Sequence, residues 1–232
     1  YTAFNCFPQQ GSGTTLDPLR EVIMWRLQYR NFGTYETLVG NLVTDVGDYN
    51  DHGGIRWFEL RKVGAGAWSL YQEGTYAPDA HSRWMGAIAM DGSGNIAVGY
   101  NVSSSSMYPS LRYVGRLRDD PLGAMPQGEV YLANGSAASP SNRYGDYAAM
   151  SVDPVDNCTF WFTGEYNTGG SWSTRIGAFK FDACTGSLGT DFALEVTPAD
   201  QTICAPAPAV YSLSLNPLFG FDDSITLTAY GV

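Results

Sequence analysis

The chain has 232 residues and a mass of 25.2 kDa, and 16% of its residues are charged and 14% aromatic. Few charges and many aromatic side chains exclude a disordered chain, and the composition of a coiled coil or helical bundle is absent. A net charge of −10 disfavours binding to nucleic acid or to an anionic membrane. The longest apolar runs are far shorter than the roughly 18 residues that a membrane helix needs, so no membrane insertion is expected.

Alternating apolar and polar residues predict short β-strands from about residue 21 to residue 181. Residues 23–29 and 55–61 alternate clearly. Turn sequences rich in Asp, Gly, Pro and Asn, such as residues 91–94 and 153–157, separate these stretches. Helix-period stretches are missing, and the sequence therefore predicts an all-β fold.

A repeat of about 60 residues runs through this part of the chain. Each copy has a first strand of small residues, an apolar second strand and a third strand with a central arginine. The two clearest copies comprise residues 83–91, 95–101 and 110–116, and residues 143–153, 158–167 and 173–179; a looser copy comprises residues 22–30, 36–45, 54–61 and 68–73. This pattern is typical of four-stranded β-propeller blades. Three blades are recognisable in residues 21–183, after a connecting segment at residues 1–20.

Three blades cannot close a propeller, because closed rings need roughly four to eight. The missing surface is expected to come from copies of the chain or from further domains of a longer chain. Residues 184–232 differ in composition and alternate at residues 192–197, 211–215 and 224–229. They predict part of an immunoglobulin-like sandwich, which needs about seven strands, and so leave an open sheet edge.

The four cysteines are widely spaced and include no C-x-x-C pair, which favours disulfides over a zinc site. Cys158 begins one predicted strand and Cys184 follows the next, so these two are predicted to pair. Cys6 and Cys204 then pair by elimination. Disulfides indicate an oxidising compartment, and we expect an extracellular or cell-surface protein. Three N-x-S/T sequons permit N-glycosylation, at Asn101, Asn134 and Asn157.

The string RYGDYAAMSVDP at residues 143–154, followed by CTFWF at residues 158–162, resembles a blade motif of large secreted bacterial proteins with a sialidase-like propeller. RWMG at residues 83–86 and the stretches at residues 94–100 and 108–113 follow the same pattern. In that group, immunoglobulin-like modules often follow the propeller. The resemblance covers about residues 20–184 and implies architecture and secretion, not a particular reaction.

A sialidase-like catalytic site would use arginines that bind a carboxylate, a Tyr–Glu nucleophile pair and an aspartate as acid or base. The candidates are Arg83, Arg143, Glu165, Tyr166 and Asp146. Alternatively, arginines at repeated positions bridge neighbouring blades, because a position that follows the repeat is first of all structural. We expect the structural role; if the protein is an enzyme, a glycoside hydrolase is expected.

Residues 48–53, with Glu59 further along, match most of the spacing of a calcium-binding loop. The ligands would be Asp48, Asn50 and Asp51. His52 occupies a ligand position for which it is poorly suited, and the flanking residues predict strands. A plain Asp/Asn/Gly turn is therefore the preferred interpretation. No cofactor is expected, and calcium is the one alternative.

These features together predict a secreted, non-catalytic protein for adhesion or structural assembly at a cell surface. One form of this hypothesis is a fibre subunit that neighbours complete by strand exchange. The alternative is a propeller that binds or hydrolyses glycans, in which exposed Trp and Tyr side chains stack on sugars. A pocket with acidic and arginine residues that break the repeat would favour an enzyme, and extensive burial between chains would favour assembly.

Overall fold

The computed structural model describes residues 6–20, 22–47, 51–169, 171–186, 191–202, 208–218 and 224–227. These residues form β-strands and no α-helix, as the alternating sequence predicts. The described residues accordingly contain no helix that is long and apolar enough to cross a membrane. The chain divides into two compact units, residues 1–187 and residues 188–232.

The first unit contains three antiparallel sheets, and each is built from strands that follow one another in the chain. Sheet A consists of β1 Gln28–Asn31, β2 Glu36–Asp45, β3 Gly53–Lys62 and β4 Ser69–Tyr76. Sheet B consists of β5 Ser82–Met90, β6 Ile96–Ser104, β7 Met107–Arg116 and β8 Val130–Ala133. Sheet C consists of β9 Ala149–Val152, β10 Phe160–Thr168 and β11 Ser171–Phe179. The three copies of the sequence repeat therefore form three separate sheets.

Sheet B lies between sheets A and C. Every residue of β5 and β6 is buried, whereas a strand with one face in water buries every second residue. On one face Ile88 belongs to a cluster with Val39 of sheet A. On the other face Ala87 belongs to a cluster with Phe162 of sheet C. The unbroken apolar and small residues at positions 84–90 of β5 are thus explained by burial on both faces.

Sheets B and C approach each other closely because of a glycine in β6. A Cβ atom at Gly99 would lie 2.6 Å from ring atoms of Phe162. That ring is fully buried, so a larger side chain at Gly99 would separate the sheets. The missing side chain at this position sets the distance between the two sheets.

The segment before sheet A, predicted as a connecting segment, also contributes side chains to the core. Phe7 and Leu16 are fully buried and form an isolated β-bridge. The ring centroid of Phe7 lies 5.6 Å from that of Trp84, and Tyr144 belongs to the same apolar cluster. The described part of this segment, residues 6–20, is therefore part of the core of the first unit.

The third repeat departs from prediction in its first strand. The sequence predicts a strand over residues 143–153, but β9 comprises only Ala149–Val152. The residues just before it are irregular, and Gly145 has a φ of +83°, which favours glycine. This irregular segment carries Arg143 and Asp146 to the rim of sheet C instead of into its ladder.

A disulfide joins Cys158 to Cys184, as predicted. It links the start of β10 to the segment that follows β11, and it indicates an oxidising, extracellular environment. Cys6 is exposed. Cys204 lies outside the described residues, so its pairing with Cys6 stays a prediction.

The second unit contains an antiparallel pair of strands, β12 Asp191–Thr197 and β13 Ser212–Leu218. They match the first two stretches predicted there. The third predicted strand, over residues 224–229, is wrong for the residues that are described, because residues 224–227 form no strand. Residues 228–232 lie outside the described residues.

Candidate functional site

The face of sheet C that points away from sheet B carries a distinct set of side chains. Along β10 the residues Phe160, Phe162 and Gly164 face sheet B, so Trp161, Thr163 and Glu165 face the other way. The strand register places Ala178, Ile176 and Thr174 of β11 directly opposite these three. We call this surface the open face of sheet C.

The larger of two adjoining cavities lies on the open face, and the smaller extends from it past β9 to Ile88 of β5; the two share Thr163. The smaller, of about 210 Å³, is lined by Trp25, Arg26, Trp161 and Ile176, among others. The larger, of about 470 Å³, is lined by Arg143, Tyr147, Glu165, Trp172 and neighbouring Ser, Thr and Gly residues. The larger volume falls in the range of small-molecule binding sites.

Exposed aromatic rings border the larger cavity. Tyr147 is 93% exposed and Trp172 is 68% exposed. Trp161, at the smaller cavity, is 44% exposed, and its indole N–H donates to Asp153 at 3.0 Å. Flat apolar rings beside polar groups suit ligands that have both apolar faces and hydroxyl groups.

Glu165 is the acidic residue that lines the larger cavity. Its Oε2 accepts a hydrogen bond from the backbone N–H of Gly145 at 3.1 Å. Burial raises the pKa of Glu165, the Gly145 hydrogen bond opposes this, and the nearby charge of Asp146 adds to the rise. Tyr144 is buried beside this carboxylate; burial, and then the charge of Glu165, raise the pKa of its phenol.

Arg143 and Asp146 form an ion pair at the rim of the larger cavity. Arg143 donates from Nε to Oδ2 of Asp146 at 3.0 Å, and a second nitrogen contacts the same oxygen. The hydrogen bonds from Arg143 to Asp146, together with the attraction between their charges, raise the pKa of the guanidinium. The positive charge of Arg143 is therefore already matched by a carboxylate.

Glu165 occupies a position that is an asparagine in sheet B. In sheet B the first pair, Met90↔Ile96, is followed five residues along β6 by Asn101; in sheet C the corresponding pair, Val152↔Phe160, is followed by Glu165. The positions on β6 that face sheet C are Ala97, Gly99 and Asn101. Their equivalents on the open face are Trp161, Thr163 and Glu165.

The asparagine at this position has a packing role in the other two sheets. Asn101 is fully buried and donates from Nδ2 to the backbone oxygen of Glu165 at 2.7 Å. A Cβ atom on Gly145 would lie 2.5 Å from Oδ1 of Asn101. Asn41 of sheet A is also fully buried, and a Cβ atom on Gly86 of sheet B would lie 2.1 Å from its Oδ1. Each asparagine thus packs against a glycine of the next sheet.

The five candidate catalytic residues do not all come together. Arg143, Asp146 and Glu165 surround the larger cavity. Tyr166 follows Glu165 in β10, so it faces the other way, and it packs against the core shared by sheets B and C. Arg83 is fully buried and is bound elsewhere.

The buried arginines of sheet B belong to an internal ion-pair network. Arg83 donates to Glu129 and to Asp79, both at 2.8 Å. Arg112 also pairs with Glu129, and the phenol of Tyr100 donates to Glu129 at 2.6 Å. Burial tends to raise the pKa of Glu129, but the hydrogen bonds and charges of these partners lower it overall. The structural alternative for Arg83 therefore agrees with its contacts.

The sequons differ in accessibility. Asn101 is fully buried, and Asn157 is 7% exposed and accepts a hydrogen bond from Arg30 at 2.6 Å. A glycan on either side chain is incompatible with this packing, so the prediction of glycosylation at these two positions needs correction. Asn134 is exposed, and glycosylation there stays a prediction.

The predicted calcium loop falls largely on residues that are not described. Asp48 and Asn50 lie outside the described residues. Asp51 is described, and its Oδ2 accepts the backbone N–H of Cys6 at 3.0 Å. Among the described residues, no group of three or more His, Cys, Asp and Glu side chains is arranged to hold a metal ion.

The sequence alone did not indicate Tyr147, Trp172 or Tyr144 as parts of the site. In the sequence, Tyr147 lies within the blade motif at residues 143–154, and Trp172 lies in the polar stretch that precedes residues 173–179. The signal for Trp172 is the alternation of β11, which places it on the same face as Thr174 and Ile176 once the register is known. Tyr144 precedes the left-handed Gly145, and no periodic pattern predicts where its ring points.

The fold and the site define an all-β, disulfide-containing protein with a polar and aromatic depression on one open sheet face. No family model matches the chain, and no curated protein matches it significantly. Function is therefore inferred from the fold and the geometry of the depression.

Proposed function

We propose that the chain is a non-catalytic adhesion module of an extracellular protein, and that it binds glycans in the depression on the open face of sheet C. The observation that carries this proposal is the change from Ala97, Gly99 and Asn101 in sheet B to Trp161, Thr163 and Glu165 in sheet C. In sheet B, Ala97 and Gly99 leave room for the rings of sheet C. In sheet C, the larger Trp161 and Thr163 and the charged Glu165 instead line cavities that suit a ligand.

Glycan binding fits the chemistry of the depression. A sugar ring has an apolar face of C–H groups and a rim of hydroxyl groups. The exposed rings of Trp172 and Tyr147 offer flat surfaces for the apolar face. Glu165, Thr163 and Thr174 line the same cavity and offer acceptors and donors to the hydroxyl groups.

A non-catalytic role agrees with how the candidate catalytic residues are bound. Asp146 is paired with Arg143, and Tyr166 lies on the opposite face of β10 from Glu165. Arg83 binds Glu129 and Asp79 within sheet B. A sialidase-like reaction needs these groups around one substrate, and the described contacts distribute them over three places.

We infer further that sheets A, B and C are consecutive propeller blades. Each is a sequential antiparallel sheet, and the first strands β1, β5 and β9 contact one another in turn, which is how the inner strands of blades are arranged. The second unit would supply the first strands of an immunoglobulin-like sandwich. The Cys158–Cys184 disulfide supports an extracellular location, and the exposed Asn134 would carry its glycan.

Replacing one aromatic ring tests glycan binding. We expect Trp172→Ala to weaken binding to immobilised glycans about fivefold, because it removes a stacking surface worth about 1 kcal/mol. The matched control is Trp68→Ala, which changes a partly exposed tryptophan outside the cavities. Glycan arrays and calorimetry would measure both variants. Equal weakening by both variants, or release of reducing sugar by the unaltered chain, would contradict the proposal.

Self-assembly is a second candidate, and one apolar row favours it. The register of sheet A aligns Tyr29, Leu38, Leu60 and Leu70 across four strands, on the face away from sheet B. Tyr29 is 51% exposed and Leu70 is 55% exposed. A row of this kind can bind a second copy of the chain.

Sedimentation of the purified chain tests this second candidate. If copies associate through the row, Leu70→Glu should convert oligomers to monomers, because a charge would be buried in the contact. Leu122→Glu is the control, since Leu122 is similarly exposed but lies outside the sheets. A chain that is monomeric at all concentrations tested would rule this candidate out.

A further inference from the structure

The cations around the depression already have acidic partners or lie at its far end. Arg143, at the larger cavity, is paired with Asp146. Arg83 and Arg112 are buried and share Glu129. Arg26 lines the smaller cavity and lies over the ring of Trp25, 5.3 Å from its centroid. The larger cavity therefore contains no cation that an acidic ligand could bind without competing with a carboxylate.

Glu165 is the charged group of the larger cavity that has capacity to bind a ligand. Its Oε2 accepts one backbone N–H, from Gly145. No described residue donates to its Oε1. The carboxylate is half-buried, and a half-buried carboxylate gains most from a partner that donates hydrogen bonds.

The repeat gives independent support for a ligand role of Glu165. Asn41 and Asn101, at the equivalent positions, are fully buried and uncharged, and each packs against a glycine of the next sheet. Packing at this position therefore requires only a neutral amide. A carboxylate here adds a desolvation cost, and the same burial raises the pKa of Glu165. A charge that costs stability and breaks a structural repeat points to binding.

We propose that the larger cavity binds the non-acidic residues of a glycan, with sugar hydroxyl or amino groups donating to Glu165, and that it discriminates against acidic sugars. This inference rests on the glycan-binding function proposed above and adds the class of sugar. A carboxylate or sulfate on the sugar would face Glu165 without a free cation to compensate, and close like charges are costly. Hydroxyl groups on adjacent carbons, or an amino group, complete the hydrogen bonding of Glu165 instead.

Binding of the purified 232-residue chain to a panel of oligosaccharides tests this inference. The panel comprises neutral glucose and N-acetylglucosamine oligomers, glucosamine oligomers, and oligomers that carry glucuronic or sialic acid. We expect neutral or amino oligomers to bind and the acidic ones to bind at least tenfold more weakly. Glu165→Gln should weaken binding of the preferred oligomer about tenfold and should reduce the discrimination against acidic sugars.

Controls separate binding from folding. Glu165→Asn restores the residue found in the other two sheets, so loss of binding in a variant whose Tm is not lowered identifies a ligand role. Asp119→Asn removes a carboxylate that is 87% exposed and lies outside the cavities, and it should leave binding unchanged. If Glu165→Gln and Glu165→Asn both bind as the unaltered chain does, the assignment of Glu165 is overturned.

The panel also distinguishes this inference from the proposed function. Binding to acidic oligomers alone would overturn the choice of sugar class and leave glycan binding in place. Binding to no oligomer of any class would overturn glycan binding, and the inference with it.

Discussion

At the scale of single residues, the position shared by Asn41, Asn101 and Glu165 distinguishes packing from binding. The two asparagines are enclosed by the next sheet, and their amides contact glycine backbone. Glu165 keeps one comparable contact, the hydrogen bond from Gly145, and lines a cavity. One substitution in a repeat thus changes a structural position into a candidate ligand position.

The difference in stability between Glu165→Gln and the unaltered chain should depend on pH. Burial raises the pKa of Glu165 above its ordinary value of 4.5, so the folded state binds this proton more tightly than the unfolded state. Ionised Glu165 therefore costs stability above its folded pKa, and protonation removes the cost as the pH falls toward 4.5. We expect Glu165→Gln to be more stable than the unaltered chain at pH 7, by at most about 1 kcal/mol because solvent screens the half-exposed group.

Urea unfolding at several pH values checks this expectation. The difference between the variant and the unaltered chain should shrink as the pH falls through the raised pKa of Glu165 and should vanish below its ordinary value. A variant that is less stable at pH 7 would mean that the carboxylate stabilises the fold, and its role would then be structural.

Sequence patterns could indicate Glu165 but not its structural equivalent. In the sequence, the second strand of the second repeat ends in Asn101 and that of the third repeat ends in Asn167, which suggests that these two asparagines correspond. The observed pairs Met90↔Ile96 and Val152↔Phe160 set a different register, in which Asn101 corresponds to Glu165. Register depends on turn length and on packing between sheets, and a single sequence does not contain that information.

At the scale of elements, the close approach of sheets B and C depends on one glycine in the second strand of sheet B. Gly99→Ala would place a methyl group 2.6 Å from the buried ring of Phe162. That ring is enclosed by the cluster that sheets B and C share. We expect a loss of about 1 to 3 kcal/mol in the free energy of unfolding, as for other overpacked cores.

Denaturant unfolding of Gly99→Ala measures this cost. Gly13→Ala is the control, because a Cβ atom there would meet nothing within 4 Å and its φ is not positive. If both variants unfold at the same urea concentration, the ring of Phe162 can move, and Gly99 does not determine the spacing of the two sheets.

The strands themselves were largely predictable, and their ends were not. Alternation and turn residues located most strands of sheets A and B, because those patterns follow directly from which face is buried. The strand predicted over residues 22–30 begins only at Gln28, and β8 was not predicted. The first strand of the third repeat was predicted over residues 143–153, but only Ala149–Val152 pair with β10. Gly145, with its positive φ, interrupts the extended backbone, and the irregular segment that results builds the rim of the larger cavity.

At the scale of the whole molecule, the order of the sheets explains why β5 and β6 are buried along their whole length, which alternation of apolar and polar residues does not explain. Sheet B is covered on both faces, so residues 84–90 of β5 and residues 96–100 of β6 lack the alternating polar residues that mark half-buried strands. The sequence repeat could predict three similar sheets. It could not predict which residues of neighbouring sheets touch, because those contacts join residues far apart in the chain.

Amide hydrogen exchange should follow this order. Amides of β6, which pairs with β5 on one side and β7 on the other, and those amides of β5 that point toward β6 are hydrogen-bonded within sheet B and covered by both neighbouring sheets. They should exchange only through global unfolding. The residues of β11 are mostly exposed or half-exposed, and β11 is the last strand of its sheet. Its amides on the side away from β10 should therefore exchange through local opening, several orders of magnitude faster than those of β5.

The second unit gives an internal reference for the same experiment. Its β12–β13 pair has mostly exposed residues, and a two-stranded pair is marginally stable in water. Its amides should exchange faster than those of sheets A, B and C. Protection of β12 equal to that of β5 would show that the pair is completed by further strands, and the prediction of a larger sandwich would then gain direct support. Rapid exchange in β6 would instead contradict the central position of sheet B.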